Sequence, residues 1–190
     1  MKKFEFTDET VTLANGVILH RIKSLVDLTT ACGLVKVGDL GGFIEKEENL
    51  SHDGTCWVAN DAWVWGNAKV FDDALIEGHA EVSGNARIFN NARICDRGNI
   101  SDDSLVFGHA MVHGYSWVSD KAQVSDHADI FGEARISENA RVFDKAEVRG
   151  HARISGNALV FGRTKVSDDM VITGDAIVFC NTSRVYLSKI

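Results

Sequence analysis

From Val58 almost to its end the sequence keeps a period of six residues, and that period leaves few folds open. Stepping by six gives Val64, Val70, Ile76, Val82, Ile88, Ile94, Ile100, Val106, Val112 and Val118, then Val124, Ile130, Ile136, Val142, Val148, Ile154, Val160, Val166, Ile172 and Val178, every one β-branched. Internal repetition of this kind decides an architecture before any single element does. Two residues before each branched position stands a small one, mostly alanine as at Ala62, Ala68, Ala74 and Ala80, with Gly98, Ser104, Ser116, Thr164 and Met170 departing. Two residues after it stands Gly, Asn or Asp, from Asn60, Gly66 and Asp72 to Gly174, with Glu138 the exception.

Gly, Asn and Asp turn a backbone at little steric cost. Each hexad therefore predicts a short strand, small-x-branched-x, followed by a two-residue corner, with the small and branched side chains facing inward by the alternation of a strand. So many β-branched residues and turn formers do not suit an α-helix. Three hexads close a triangular coil of eighteen residues. Stacked at the inter-strand spacing of about 4.8 Å, roughly seven such coils make a prism about 33 Å long. Proline is absent, as suits a chain whose backbone N–H groups serve ladders.

Hexads such as Val70-Phe-Asp-Asp-Ala74, Val82-Ser-Gly-Asn-Ala86 and Ile154-Ser-Gly-Asn-Ala158 resemble the hexapeptide repeats of left-handed β-helix proteins, a superfamily with many trimeric acyltransferases. The resemblance implies an all-β, left-handed parallel β-helix, an exception to the right-handed rule for parallel crossovers. The lead-in Gly38-Asp-Leu-Gly-Gly-Phe-Ile-Glu, with Asn49-Leu-Ser-His-Asp-Gly-Thr-Cys-Trp-Val58, more narrowly resembles YdcK-like proteins of bacteria and their phages, which often carry a transferase label. A homotrimer is implied by the hexapeptide-repeat resemblance. In acyltransferases of this fold a histidine at a subunit interface serves as general base, with acetyl-coenzyme A as donor.

A solenoid leaves open strand edges at its ends, so caps are expected. Residues 1–50 suit a small N-terminal β cap and lead-in: Asn15-Gly16 between two apolar runs predicts a hairpin across Val11–Leu19, a strand follows over Leu19–Val26, and Gly38–Gly42 marks a tight connection. The solenoid is expected over 51–183. Residues 184–190 fall out of the repeat, as a tail that covers the last coil or donates a strand to a neighbour.

Residues eighteen apart should lie above one another, so outward positions can be read as columns. Phe71, Phe89, Phe107, Phe143, Phe161 and Phe179 form an aromatic ladder that Ser125 interrupts. So long an apolar stripe is expected to be an interface, either between copies or with another protein, or to be covered by the chain's own termini; ring stacking along the ladder would also stiffen the coil. The corner beside it reads Asp73, Asn91, His109, His127, Lys145 and Arg163. The Ser125 gap is then the candidate ligand site, with His109 and His127 as candidate bases and Ser125, Lys145 and Arg163 as contacts for an anionic ligand. Trp65, Ser83, Ser101, Ser119, Ser137 and Ser155 form a polar, solvated column, and the four tryptophans, concentrated toward the N-terminal end, are expected to pack the cap, with ligand stacking as the alternative.

A net charge of -7 and a pI near 5.4 disfavour coating of nucleic acid or anionic membrane. No bilayer-spanning apolar run or signal-peptide core is present, and a cytoplasmic location is expected. Cys32, Cys56, Cys95 and Cys180 lack metal-site spacing and are expected to be small buried residues, and the His109 to His113 separation does not suggest a metal site, so no metal is expected. With no break for an external loop and no C-terminal helix, the residues favour a non-catalytic binding or assembly module without a cofactor. It would self-associate through the Phe ladder and engage a protein partner; the YdcK likeness also permits a phage accessory protein inhibiting a host factor. The alternative is an acetyl-coenzyme A dependent acyltransferase with its site at a subunit interface.

Overall fold

A computed structural model describes residues 1–180 and the backbone of a strand at Val185–Ser188. Each hexad contributes one short strand, and strands eighteen residues apart pair in parallel, Trp63–Val64 with Glu81–Val82 and Lys69–Val70 with Arg87–Ile88. The strands fall on three flat faces: face I carries Val64, face II Val70 and face III Ile76. The result is a triangular parallel β-helix. Its interior is one column of alanine and β-branched side chains, which from Ala62 to Val166 are no more than 1% exposed. Burial of each valine or isoleucine contributes about 1.5–3 kcal/mol relative to exposure.

Departures from alanine in the column are absorbed locally. Buried Ser104, Ser116 and Thr164 donate their hydroxyls to the carbonyls of Ser101, His113 and Phe161 at 2.6, 2.7 and 2.6 Å. Corners are closed by residues in the left-handed region, among them Asp72, Asp102, Asp120 and Asp144 at φ 57–60°. Their carboxylates climb to the next coil: Asp72 accepts from the Asn90 N–H at 3.1 Å and Asp120 from that of Glu138 at 3.0 Å. Glu138, the exception in the corner pattern, does the same with a longer arm, accepting from the Gly156 N–H at 2.7 Å. Asn67, Asn85 and Asp103 add a side-chain ladder up one corner, at 3.2 and 2.8 Å.

The N-terminal region closes the prism by extending face I. Strands β1 (Phe4–Thr12) and β2 (Ile18–Ser24) form the antiparallel hairpin expected at Asn15-Gly16, and β2 pairs antiparallel with β5 (Leu40–Ile44). Strand β5 then pairs in parallel with Trp63–Val64, so the coil count rises to eight on this face. Ile44, Leu50 and Val58 are the inward residues of this first coil, and Leu50 bridges Val70. The step from Leu50 to Val58 is eight residues rather than six, which hides the first coil from the repeat. Gly41 and Gly42 lie where β5 crosses the coil: a Cβ would come within 2.6 Å of the Val58 carbonyl oxygen and 2.5 Å of that of Ala62.

A second hairpin, β3 (Leu28–Thr30) and β4 (Gly33–Val35), contributes Leu28 to the same apolar cluster as Trp57 and Leu75. Trp57 and Leu75 occupy outward positions of face III yet are only 1% exposed. At the other end Val185–Ser188 pairs antiparallel with Ile177–Cys180, covering that edge of face II. The remaining residues of the expected tail, 184 and 189–190, lie outside the described residues.

Candidate functional site

The outward residue after each buried branched residue of face II stands just before a corner, and there parallel register stacks the phenylalanines on one another. Phe71–Phe89 and Phe89–Phe107 centroids are 4.9 and 5.0 Å apart with planes within 4°. Beyond Ser125 the stack resumes, Phe143–Phe161 and Phe161–Phe179 both at 4.8 Å. Each ring lies face to face with at least one neighbour in its stack and is half-buried. Arg87 lies over Phe71 at 5.3 Å, and Arg141 over Phe143 at 5.5 Å.

Ser125 is only 7% exposed, and its hydroxyl is turned to the carboxylate of Asp126 at 3.4 Å. His109 and His127 are brought together, rings parallel and 5.0 Å apart, on the exposed corner beside it. Neither ring makes a hydrogen bond or ion pair among the described residues. Lys145 and Arg163 continue the same exposed corner, one coil and two coils further on. The predicted group is thus a linear column and not a ring of converging side chains. His113, considered for metal, is held by Asp129 at 3.0 Å and stacks on Phe131 at 5.2 Å, an arrangement that anchors face III.

A different concavity lies on face I, where the sequence expectation placed no site. Register sets Trp63 beside Glu81, Glu81 beside Asn99 and Asn99 beside Trp117, all pointing outward. With His79, Arg97 and Tyr115 of the adjoining corner they line an open groove of about 510 Å³. Tyr115 is 59% exposed and Trp117 50% exposed. Arg97 lies over Tyr115 at 5.5 Å and Arg135 over Trp117 at 5.0 Å. Asn99 Nδ2 donates to Glu81 Oε2 at 3.3 Å. The tryptophans therefore do not all pack the cap: Trp57 does, whereas Trp63 and Trp117 serve this groove. The step of eighteen applied to the residue before each branched one would have found it.

The cysteines also depart from expectation, since among them Cys56 is buried while Cys32 is exposed. Cys32 Sγ donates to Glu77 at 2.8 Å and meets Arg93 at 3.1 Å, tying the β3–β4 hairpin to face III. Arg93 and Glu77 are themselves paired at 2.7 Å. Burial, then the Glu77 carboxylate, pushes the Cys32 thiol up. Burial, with Asp96 and Glu77, pushes Cys95 up to about 11.

Comparison with known proteins agrees with the repeat. Residues 152–168 match the family model described as the YdcK beta solenoid repeat. Five solved chains match, among them the product of the BC4754 gene of Bacillus cereus, described as a "putative acetyltransferase". That likeness covers 76% of this chain and 80% of the other at 17% identity and a TM-score of 0.36, from which nothing about chemistry follows. No curated protein matches the chain. By its repeat and its coil, the fold is a triangular parallel β-helix, and the repeat is similar to the YdcK solenoid repeat over residues 152–168.

Proposed function

We propose that this β-helix is a non-catalytic binding and assembly module that self-associates through its phenylalanine ladder, as a trimer, and presents its remaining faces to a protein partner. The observation that carries the proposal is the pair of three-ring stacks, Phe71 to Phe107 and Phe143 to Phe179. Rings already ordered by stacking lose little conformational freedom on association, so their apolar edges bind at small entropic cost. The neighbouring column adds Leu105, Leu159 and Ile177 to the stripe.

An acyltransferase is the second reading, favoured by the His109–His127 pair beside Ser125. A general base works best when a further group orients it toward its substrate. No such orienting group contacts either ring among the described residues. Calorimetric titration with acetyl-coenzyme A separates the readings. The module should give no saturable heat; saturable binding that weakens in His109→Ala or His127→Ala would replace it with the transferase.

A further inference from the structure

We propose that the groove of face I binds a neutral oligosaccharide, with sugar rings stacked on Trp63 and Trp117 and hydroxyls held by Glu81, Asn99 and Arg97. This site lies on a different face from the ladder and does not depend on the assembly role.

The geometry selects the ligand by exclusion and by fit. The face I strands that form the groove already spend their backbone on the coils above and below: the Trp63 N–H reaches the Ala80 carbonyl at 2.9 Å and that of Trp117 the Ala134 carbonyl at 2.9 Å. A peptide therefore cannot be added as a further strand on this surface, and recognition falls to side chains alone. Of the groove's charged side chains Asp61 is already paired with Arg21 at 3.1 Å and Glu81 is matched in number by Arg97, so the lining carries no surplus positive charge for a phosphate-bearing ligand to meet. What remains on offer is aromatic area interleaved with hydrogen-bonding groups that suit uncharged hydroxyls. Glu81 accepts, Asn99 both donates and accepts, and Arg97 donates.

Spacing supports an extended ligand. Trp63 and Trp117 are three strand steps apart in register, about 14 Å at the inter-strand spacing. A single small ring cannot touch both, whereas a short chain of linked pyranoses laid along the prism axis can. The receiving surface is also pre-ordered. Arg135 lies over Trp117 and Arg97 over the neighbouring Tyr115, and the Glu81–Asn99 pair fixes the floor between the two tryptophans.

The test is titration of the intact chain with neutral oligosaccharides of the glucose, mannose, galactose and N-acetylglucosamine series, followed by calorimetry and tryptophan fluorescence. One series should bind saturably and shift the fluorescence. Trp117→Ala and Trp63→Ala should each weaken it by about tenfold, the worth of one stacked ring, and Trp117→Phe should restore part of the loss. Phe107→Ser, on the ladder, should leave sugar binding unchanged. Absence of binding in every series overturns the proposal, as does binding that survives the two alanine variants combined. Capture of a proline-rich peptide or of single-stranded nucleic acid by the same groove, with no sugar bound, overturns it equally.

Discussion

Lys3 Nζ stands 2.8 Å from the carbonyl oxygen of Cys56 and 3.1 Å from its Sγ, with the Lys3 residue only 3% exposed. The N-terminus is thereby fastened to the first coil by a buried ammonium, and its backbone N–H adds a bond to His52 Nδ1 at 3.1 Å. Because that nitrogen accepts, the other ring nitrogen carries the hydrogen toward Glu47 at 2.7 Å. Lys3→Ala removes the donor and leaves the Cys56 carbonyl short of a partner, which costs about 1–3 kcal/mol. Solenoids unfold by units, so the loss should appear as faster hydrogen exchange in residues 1–76 with the far coils unchanged. Uniform loss along the prism would contradict this account of the cap.

Acid should loosen the same region first. The Lys23 hydrogen bond, at 2.7 Å, holds the Glu5 carboxyl below its usual range, and hydrogen bonds from His52 and Lys2 do so for Glu47. A carboxyl depressed in the folded state stabilises above its unfolded pKa, near 4.5, and that contribution fades as pH falls through the lower folded value. Both pairs are solvent-screened, so the effect is a local fraying. Exchange measured from pH 6 down to about 3 should rise in β1 and β2 before it rises at Val118 or Ile136; simultaneous opening would refute the ordering.

The corner glycines make a sharper test. At Gly84 the backbone has φ +66°, and a Cβ would lie 2.6 Å from the Asp102 nitrogen. Gly84→Ala must shift one coil against the next as well as adopt a left-handed conformation, a cost of about 2 kcal/mol or more. Asp102, one coil on at φ 58°, already tolerates a side chain, and its carboxylate accepts a hydrogen bond from the Asp120 N–H at 3.2 Å. Asp102→Gly relieves strain while losing that bond, so it should change stability by less than Gly84→Ala does in the same denaturant titration.

How much of this was legible follows from what each part asks of its residues. The coils repeat one demand, a small and a branched side chain inside and a turn former outside, so a period of six exposes them all. The first coil was hidden because eight residues separate Leu50 from Val58, and the β3–β4 hairpin because strands of three residues are too short to show alternation. The face I groove joins Trp63 to Trp117 through residues fifty-four positions apart, a relation visible only in the step of eighteen. Ser125 was expected to open a notch, yet one hydroxyl-bearing side chain among rings sits at 7% exposure, turned to Asp126.

Thiol chemistry should follow burial. With Cys95 raised to about 11, its thiolate fraction at pH 8 is on the order of a thousandth, and half-burial slows access further. Mass spectrometry after alkylation at pH 8 should find Cys95 labelled far more slowly in the folded chain than in the denatured one. Rapid labelling of Cys95 would mean that face III opens near Glu77.

Serine is the residue this fold already carries at position 125, so Phe107→Ser and Phe143→Ser are compatible with the coil. Each removes one ring from the centre of the stripe, and together they leave a gap across three coils. Sedimentation of the natural chain should give an oligomer and the double variant a monomer, with far-ultraviolet dichroism unchanged. Phe107→Glu with Phe143→Glu should act more strongly, because a carboxylate at a desolvated seam adds a buried charge to the lost contact. If both variants sediment as the natural chain does, the seam lies elsewhere and the ladder serves only to stiffen the prism. If the natural chain is itself a monomer, the ladder edges are left to a foreign protein.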